Sequence, residues 1–343
     1  MNVAVTGVGG GVGQSIMKAL TLSMLPIKIF PIDVSPFSAG LYRGAVATIL
    51  PKSELAKSKN IWQEWLRANQ ITALIPGSDH DLIPLANFRD DWAARGICQT
   101  LVSDAELTRI CRDKARTTET LTRLGLPAPR SIWDVTLDDA RAWADAQGYP
   151  VVIKPRHGSA SRYLAIAQNA AELEFYFPRT PEPIVQEYLH LNGDVQEFTC
   201  AVFVDKAGEP RGVFMARRDL SAGSTYRAEV KFFPELAELL LKLGRALKPR
   251  GPINVQLRLT ERGPVPFELN LRCSGTTSIR AHFGYNEPDM LLRHYVLGEA
   301  VTAPRVRTGF ALRYWNEVFI EAADRDALLQ NPAQFEGTVR AWP

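Results

Sequence analysis

The 343-residue sequence predicts a chain that is part α/β and part α+β: a doubly wound parallel-sheet unit first, then two lobes built on antiparallel sheets. Three observations carry this. Residues 1–110 alternate short apolar runs with helix-like stretches, as parallel strands joined by crossover helices do. Beyond residue 127 the strands come in neighbouring pairs with short loops, which favours antiparallel pairing. Hydrophobic residues make up 46% of the chain and the formal net charge is +3, so two or three domains of ordinary size can each bury a core.

The first apolar run is Val3, Ala4 and Val5, followed by glycines at positions 7, 10 and 13 and a helical stretch over 14–22. The spacing of these glycines suits a tight strand-to-helix turn whose amides can meet an anion. A second strand over 27–32 ends at Asp33, near the distance at which a dehydrogenase places its ribose-binding acid. On these residues alone, an NAD(P) site and a purely structural turn both stand. ITALIPGSD (71–79) reads as another parallel strand, with a helix over 82–95 after it. RDKARTTETLTRLGL (112–126) reads as one amphipathic helix that closes at Gly125, ahead of Pro127. VVIKP (151–155) pairs with YLAIA (163–167), and PIVQEYL (183–189) with EFTCAVFVD (197–205). A helix over 234–246 precedes the pair NVQLRLT and VPFELNLR, a helix over 287–296 follows, and GFALRYW supplies a last strand.

Composition removes several classes. The small net charge gives no case for nucleic acid. No apolar run approaches the roughly eighteen residues of a membrane span. Cys98, Cys111, Cys200 and Cys273 are scattered, as are the five histidines, so free thiols in a reducing cytoplasm are expected, with no disulfide or zinc framework. Strand one sits at the start of the sequence, so no signal peptide is expected.

Three segments carry chemistry. In the pair over 254–271, alternation sets Asn254, Gln256 and Arg258 against Val255, Leu257 and Leu259, and Glu268, Asn270 and Arg272 against Phe267, Leu269 and Leu271. A three-residue loop at 261–263 puts Gln256 across from Glu268 and gathers carboxylate and amide oxygens on one face. Such oxygens suit Mg²⁺, and so does a solvated polar face with no ion. In VVIKPRHGSAS, Lys154 ends an apolar strand, and Gly158 and Ser159 open a small-residue loop that suits phosphates. In IVQEYLHLNGDVQEF, a short segment with Glu187 is followed by Glu197; on these residues alone it reads first as solvated acids, and second as a segment that joins two lobes and offers backbone groups to an adenine edge.

Taken in order, these segments resemble the ATP-grasp superfamily, most closely the large-subunit halves of carbamoyl-phosphate synthase and similar single-unit ligases. The resemblance covers about residues 1–300. It implies a Rossmann-like domain over 1–110, an ATP-grasp N-terminal lobe over 111–185, a C-terminal lobe over 186–300, and a strand and tail over 301–343 packed on that lobe. It implies ATP and Mg²⁺ as cofactors. Lys114, Lys154, His157, Gly158 and Ser159 would meet the phosphates, and Gln186, Glu187, Tyr188 and Leu189 would form the adenine hinge. Glu197 would hold the ribose, and Gln256, Glu268 and Asn270 would be the magnesium set. Arg272, with Lys154, would serve catalysis. Arg280, Arg217, Arg218 and Ser274 would dock the substrate. Under this resemblance the N-terminal glycine turn is structural or edges the acceptor cleft.

The activity implied is a carboxylate–amine ligase that releases ADP and phosphate, with small carboxylate and amine substrates and a possible homodimer. Two other readings remain. One is a dehydrogenase or epimerase using the glycine turn, although no tyrosine here has a lysine four residues on. The other is an ATP-binding protein without chemistry.

Overall fold

A computed structural model describes residues 1–44, 46–55, 57–158, 162–190, 196–314, 316–332 and 340–341. The first sheet is parallel: β1 (Asn2–Thr6), β2 (Lys28–Asp33), β3 (Thr48–Ile49), β4 (Ala73–Ile75) and β5 (Gln99–Thr100), in the order β3-β2-β1-β4-β5. Helices α1 (Gly11–Leu20), α2 (Ser58–Ala68) and α3 (Asp79–Ala94) make the crossovers. Strand order reverses beside β1, so the turns after β1 and β4 meet at the carboxyl edge of the sheet.

That meeting explains the glycines. A Cβ on Gly13 would stand 2.5 Å from the Gly7 carbonyl oxygen, and one on Gly77 would stand 2.3 Å from that of Thr6 and 2.6 Å from Gly13 Cα. The Asp33 carboxylate closes the turn from inside, accepting the Gly9 N–H at 2.7 Å and the Val34 N–H at 2.8 Å.

The single helix expected over 112–126 is two. Helix α4 (Ala105–Arg112) ends where Asp113 leaves helical geometry, at φ −102° and ψ 113°. Its carboxylate caps α5 (Lys114–Arg123) by accepting from the amides of Ala115 and Arg116. Arg156 holds the same carboxylate at 2.7 Å, which fixes Lys114 at the first turn of α5, with its amide donating to the Arg156 carbonyl at 3.1 Å.

The second sheet is antiparallel, with β6 (Ser131–Trp133), β7 (Val151–Pro155), β8 (Ala165–Ala167) and β9 (Pro183–Glu187) in the order β6-β9-β7-β8. Helices α6 (Leu137–Gln147) and α7 (Ala170–Tyr176) complete this lobe; Ala140, Ala144 and Leu173 share its core with Val151, Ile153 and Val185.

The third sheet runs β14-β13-β10-β11-β12-β15, from β10 (Glu197–Val204), β11 (Pro210–Ser221), β12 (Ser224–Val230), β13 (Gly251–Thr260), β14 (Gly263–Asn270) and β15 (Gly309–Leu312). Helix α8 (Pro234–Leu247) covers one face: Leu236, Leu239, Leu240, Leu243 and Leu247 recur at helical spacing and are buried against β10, β13 and β14. Helices α9 (Thr277–His282) and α10 (Glu287–Leu291) lie on the other face and pack against α1.

The C-terminal segment divides. Strand β15 extends the third sheet, and α11 (Ala322–Gln330) turns to the first unit, where the Pro332 carbonyl accepts the Ile49 N–H at 2.8 Å. A small pair, β16 (Val318–Phe319) and β17 (Arg340–Ala341), flanks α11 in sequence. All four cysteines are buried and unpaired, and no helix among the described residues is long and apolar enough to cross a membrane.

Candidate active site

Between the second and third sheets lies a cavity of about 250 Å³. The second sheet lends it Lys154 and Gln186, the third lends Glu197, Arg218, Gln256, Arg258 and Glu268, and α5 adds Lys114. Tyr188 and Leu189 follow β9 into its wall, and His157 and Gly158 line it from beyond β7. Ser159 falls outside the described residues.

The two lysines set its electrostatics. Lys154 makes no ion pair with a described acid, and its ammonium lies 5.6 Å from the centre of the Phe267 ring. Burial, with the charge of Lys114 added, lowers its pKa to about 7. The Lys114 ammonium donates to the carbonyl oxygens of Gly158 at 3.2 Å and Arg156 at 3.4 Å, and burial lowers its pKa against the pull of Glu268. A buried and a half-buried cation facing one hollow, neither ion-paired with a described acid, suit a polyanion.

The acids are arranged differently. Glu197 is clasped by Arg218 at 2.7 Å and by Arg258 at 3.0 Å. Glu187 is held by Arg130 at 2.8 Å and by Arg262, which pins the segment joining the sheets. Tyr188 stacks with His190, and the Arg258 guanidinium stands 5.2 Å from the Tyr188 ring. Gln186 is buried and donates to Ser131 Oγ at 2.8 Å.

Gln256 does stand opposite Glu268, though by another route than the predicted three-residue loop. Thr260 pairs with Gly263 across a two-residue loop, and the register then shifts between Gln256 and Leu257. The bulge absorbs Phe267, so its ring lines the cavity beside Glu268 and does not join the core as alternation requires. Gln256 Nε2 and Asn270 Nδ2 donate to the same oxygen of Glu268, at 3.1 and 2.9 Å. The other carboxylate oxygen takes no hydrogen bond from a described residue.

One carboxylate and two amides are hard oxygen donors of the kind Mg²⁺ accepts, provided phosphate and water oxygens complete its shell. Among the described residues no cluster of three His, Cys, Asp or Glu side chains is placed to hold a metal alone. The set therefore fits an ion that arrives with a nucleotide, to which Glu268 would offer the one charged oxygen donor of the three.

The four residues expected to dock substrate separate. Arg218 lines the cavity and reaches Gln256 Oε1 at 2.7 Å. Arg217, its neighbour on β11, points to the opposite face by strand alternation and pairs with Glu229 at 2.8 Å. Arg280 is fully buried and ion-paired at 2.8 Å with Glu287, itself fully buried. It also donates to Asn254 Oδ1 and Thr199 Oγ1, so it braces the floor of the cleft and cannot reach a substrate. Ser274 is buried too, with its hydroxyl 2.7 Å from that of Thr276, in the turn after β14. Arg272 lies beside Asn270, but its fork is bound to Asp79 at 2.6 and 3.0 Å. It ties the metal strand to α3 of the first unit.

Residues 179–318 match the model of a family described as ATP-grasp in the biosynthetic pathway with Ter operon. The chain is 26% identical over 178 residues to the carbamoyl phosphate synthase large chain of Sulfurisphaera tokodaii, covering 47% of this chain and 16% of that protein. The chain thus spans well under half the length of this relative. Among solved structures, the biotin carboxylase domain of Hydrogenobacter thermophilus 2-oxoglutarate carboxylase, in complex with MgADP, ADP and bicarbonate, superposes with a TM-score of 0.70 at 16% identity. That alignment covers 90% of this chain and 73% of the other. The carboxyaminoimidazole ribonucleotide synthase of Aspergillus clavatus, complexed with ATP, gives 0.71 at 15% identity, covering 91% and 81%. Residues 179–318 thus match an ATP-grasp family model, about half of the chain is similar to the carbamoyl phosphate synthase large chain, and the fold, a parallel-sheet unit ahead of two antiparallel lobes, is shared with both solved structures.

Proposed function

We propose that the chain is an ATP-dependent carboxylate–amine ligase that forms an amide through an acyl phosphate. One observation carries this reading: Lys154 and Lys114 face Glu268 across a single cavity between the two antiparallel sheets. The relatives that bind MgADP or ATP share this fold and support the nucleotide half of the reaction.

In this reading the triphosphate lies along the two lysines, and the base sits against Tyr188 and Leu189 near the Glu197 clasp. A substrate carboxylate oxygen attacks the γ-phosphorus in line, and ADP leaves. An amine then attacks the acyl carbon, loses a proton to solvent, and displaces phosphate. Glu268, Gln256 and Asn270 would hold Mg²⁺, which would supply positive charge against the phosphate oxygens. Lys154 grips the triphosphate with a charge that burial makes strong and that water does not screen. Glu268, with Gln256 and Asn270 oriented on it, holds the metal position. Arg272, anchored by Asp79, fixes the strand that carries both Glu268 and Asn270. Arg218 keeps Glu197 and Gln256 in register across three strands. No protein nucleophile enters.

The test is a screen of amino acids and small carboxylates, alone and with amines, for substrate-dependent release of ADP and phosphate with Mg²⁺. Glu268→Ala is expected to lower turnover by about a hundredfold or more with the fold intact by circular dichroism. Unchanged turnover would remove Glu268 from the metal position.

A further inference from the structure

The cluster of cations at the turn after β14 has no use in the nucleotide cleft. Arg313, just past β15, reaches inward and donates to the Gly275 carbonyl, while its own amide donates to the Tyr226 carbonyl at 2.9 Å. The turn it reaches is built rigidly: Thr277 Oγ1 accepts the Ser274 N–H at 2.9 Å, and the Ser274 and Thr276 hydroxyls bond each other. From the other side α1 packs on α9, with Ser15 Oγ 2.9 Å from Ser278 Oγ. Lys18 is one helical turn beyond Ser15 on α1 and shares its side of the helix.

The charges acting on this cluster are of one sign. Arg43 and Arg313 bear on Lys18, and Arg218 bears on Arg313. Neither Lys18 nor Arg313 forms an ion pair with a described acid. Arg313 is half-buried, and a guanidinium taken out of water beside other cations, with only a carbonyl for a partner, is costly unless an anion completes it. Its planar fork matches a carboxylate or phosphate. The turn follows β14, the strand that carries Glu268 and Asn270, by only a few residues.

We propose that Arg313 and Lys18 form an oxyanion site at the 274–276 turn that seats an anionic group of the small-molecule substrate, a carboxylate or a phosphate monoester. The proposal rests on the ligase reading and narrows its substrate to one with an acidic group besides the reacting carboxylate. It also gives the C-terminal strand a function: β15 carries in an arginine that the two lobes do not supply. Since Lys154 and Lys114 line a different wall, nucleotide and substrate anion need not compete.

The test is calorimetric titration of the full chain with succinate and, separately, glycerol 3-phosphate, at fixed ionic strength, with and without Mg²⁺ and a nonhydrolysable ATP analogue. Wild type is expected to bind at least one of these dianions, and the preferred one names the source of the charge. Arg313→Ala and Lys18→Ala are each expected to weaken that binding about tenfold or more, a loss of about 1.4 kcal/mol, with Arg313→Lys restoring part of it. Arg227→Ala, at an exposed residue paired with Asp219, controls for net charge and is expected to bind as wild type does. The dianion should raise the melting temperature of wild type but not of the two alanine variants, which separates lost binding from lost folding. Failure of both dianions to bind wild type, or equal affinity in wild type and both variants, overturns the proposal. Failure of the ATP analogue to bind would instead overturn the ligase reading and leave the anion result standing.

Discussion

Two regions of this molecule present themselves as phosphate sites, and they are built in opposite ways. At the N-terminal glycine turn every feature is already used. The glycines are bare because the turns after β1 and β4 touch backbone to backbone, and Asp33 occupies the Gly9 N–H that an anion would need. Between the antiparallel sheets there is no glycine-rich fingerprint among the described residues. There, buried Lys154 and half-buried Lys114 face an open cavity, near a carboxylate, Glu268, that forms no ion pair with a described residue. The comparison teaches that unmatched charge marks a polyanion site better than a glycine pattern does. Small residues report close approach, and only the partners show what approaches.

The comparison can be broken in order of effect. Lys154→Met removes a buried, unscreened charge, and ATP affinity is expected to fall by about 2–4 kcal/mol, read by calorimetry. If the glycine turn held the nucleotide, the same variant would bind normally. Gly13→Ala forces a Cβ onto the Gly7 carbonyl and is expected to lower unfolding free energy by about 1–3 kcal/mol, with the ATP affinity of the folded fraction unchanged.

A third test concerns protons. The Lys154 pKa is lowered from 10.5 to about 7, so its ammonium opposes folding fully below the lowered value and not at all above the ordinary one. Stability without nucleotide should therefore rise with pH across that interval. A triphosphate beside Lys154 reverses the shift, so at about pH 8 binding should take up about one proton, measured by calorimetry in buffers of different ionisation enthalpy. Zero uptake would place the phosphates elsewhere. The smallest effect is expected of Asp33→Asn, which keeps an oxygen for the Gly9 N–H. ATP affinity should stay within about twofold, a change of about 0.4 kcal/mol.

How far the sequence was readable follows from the range of the forces involved. Two expected pairs came through: VVIKP is β7 beside β8, and Gln256 faces Glu268, whereas PIVQEYL and EFTCAVFVD, expected to pair with each other, fall in different sheets, β9 between β6 and β7 and β10 between β13 and β11. Alternation failed at Phe267, where a bulge turned a residue expected in the core toward the cleft. The helix expected over 112–126 broke because Asp113 caps α5, with Arg156, just past β7 and distant in sequence, securing the cap. Arg280 looked like a docking residue because its partners, Glu287, Asn254 and Thr199, are assembled only by folding. Arg217 and Arg218 are adjacent in sequence, and strand geometry alone sends one to the cleft and the other away. Arg313 carried no motif; only the fold brings β15 against β12 and the 274–276 turn. The tail was placed on the last lobe, and α11 instead crosses to the first unit, a contact no local pattern encodes.

The most direct measurement is a crystal structure of the chain with Mg²⁺ and a nonhydrolysable ATP analogue. The account predicts the triphosphate between the two antiparallel sheets, within hydrogen-bond reach of Lys154 and Lys114, with the ion on Glu268. A nucleotide lying against Gly7, Gly10 and Gly13, with that cleft empty, would contradict it.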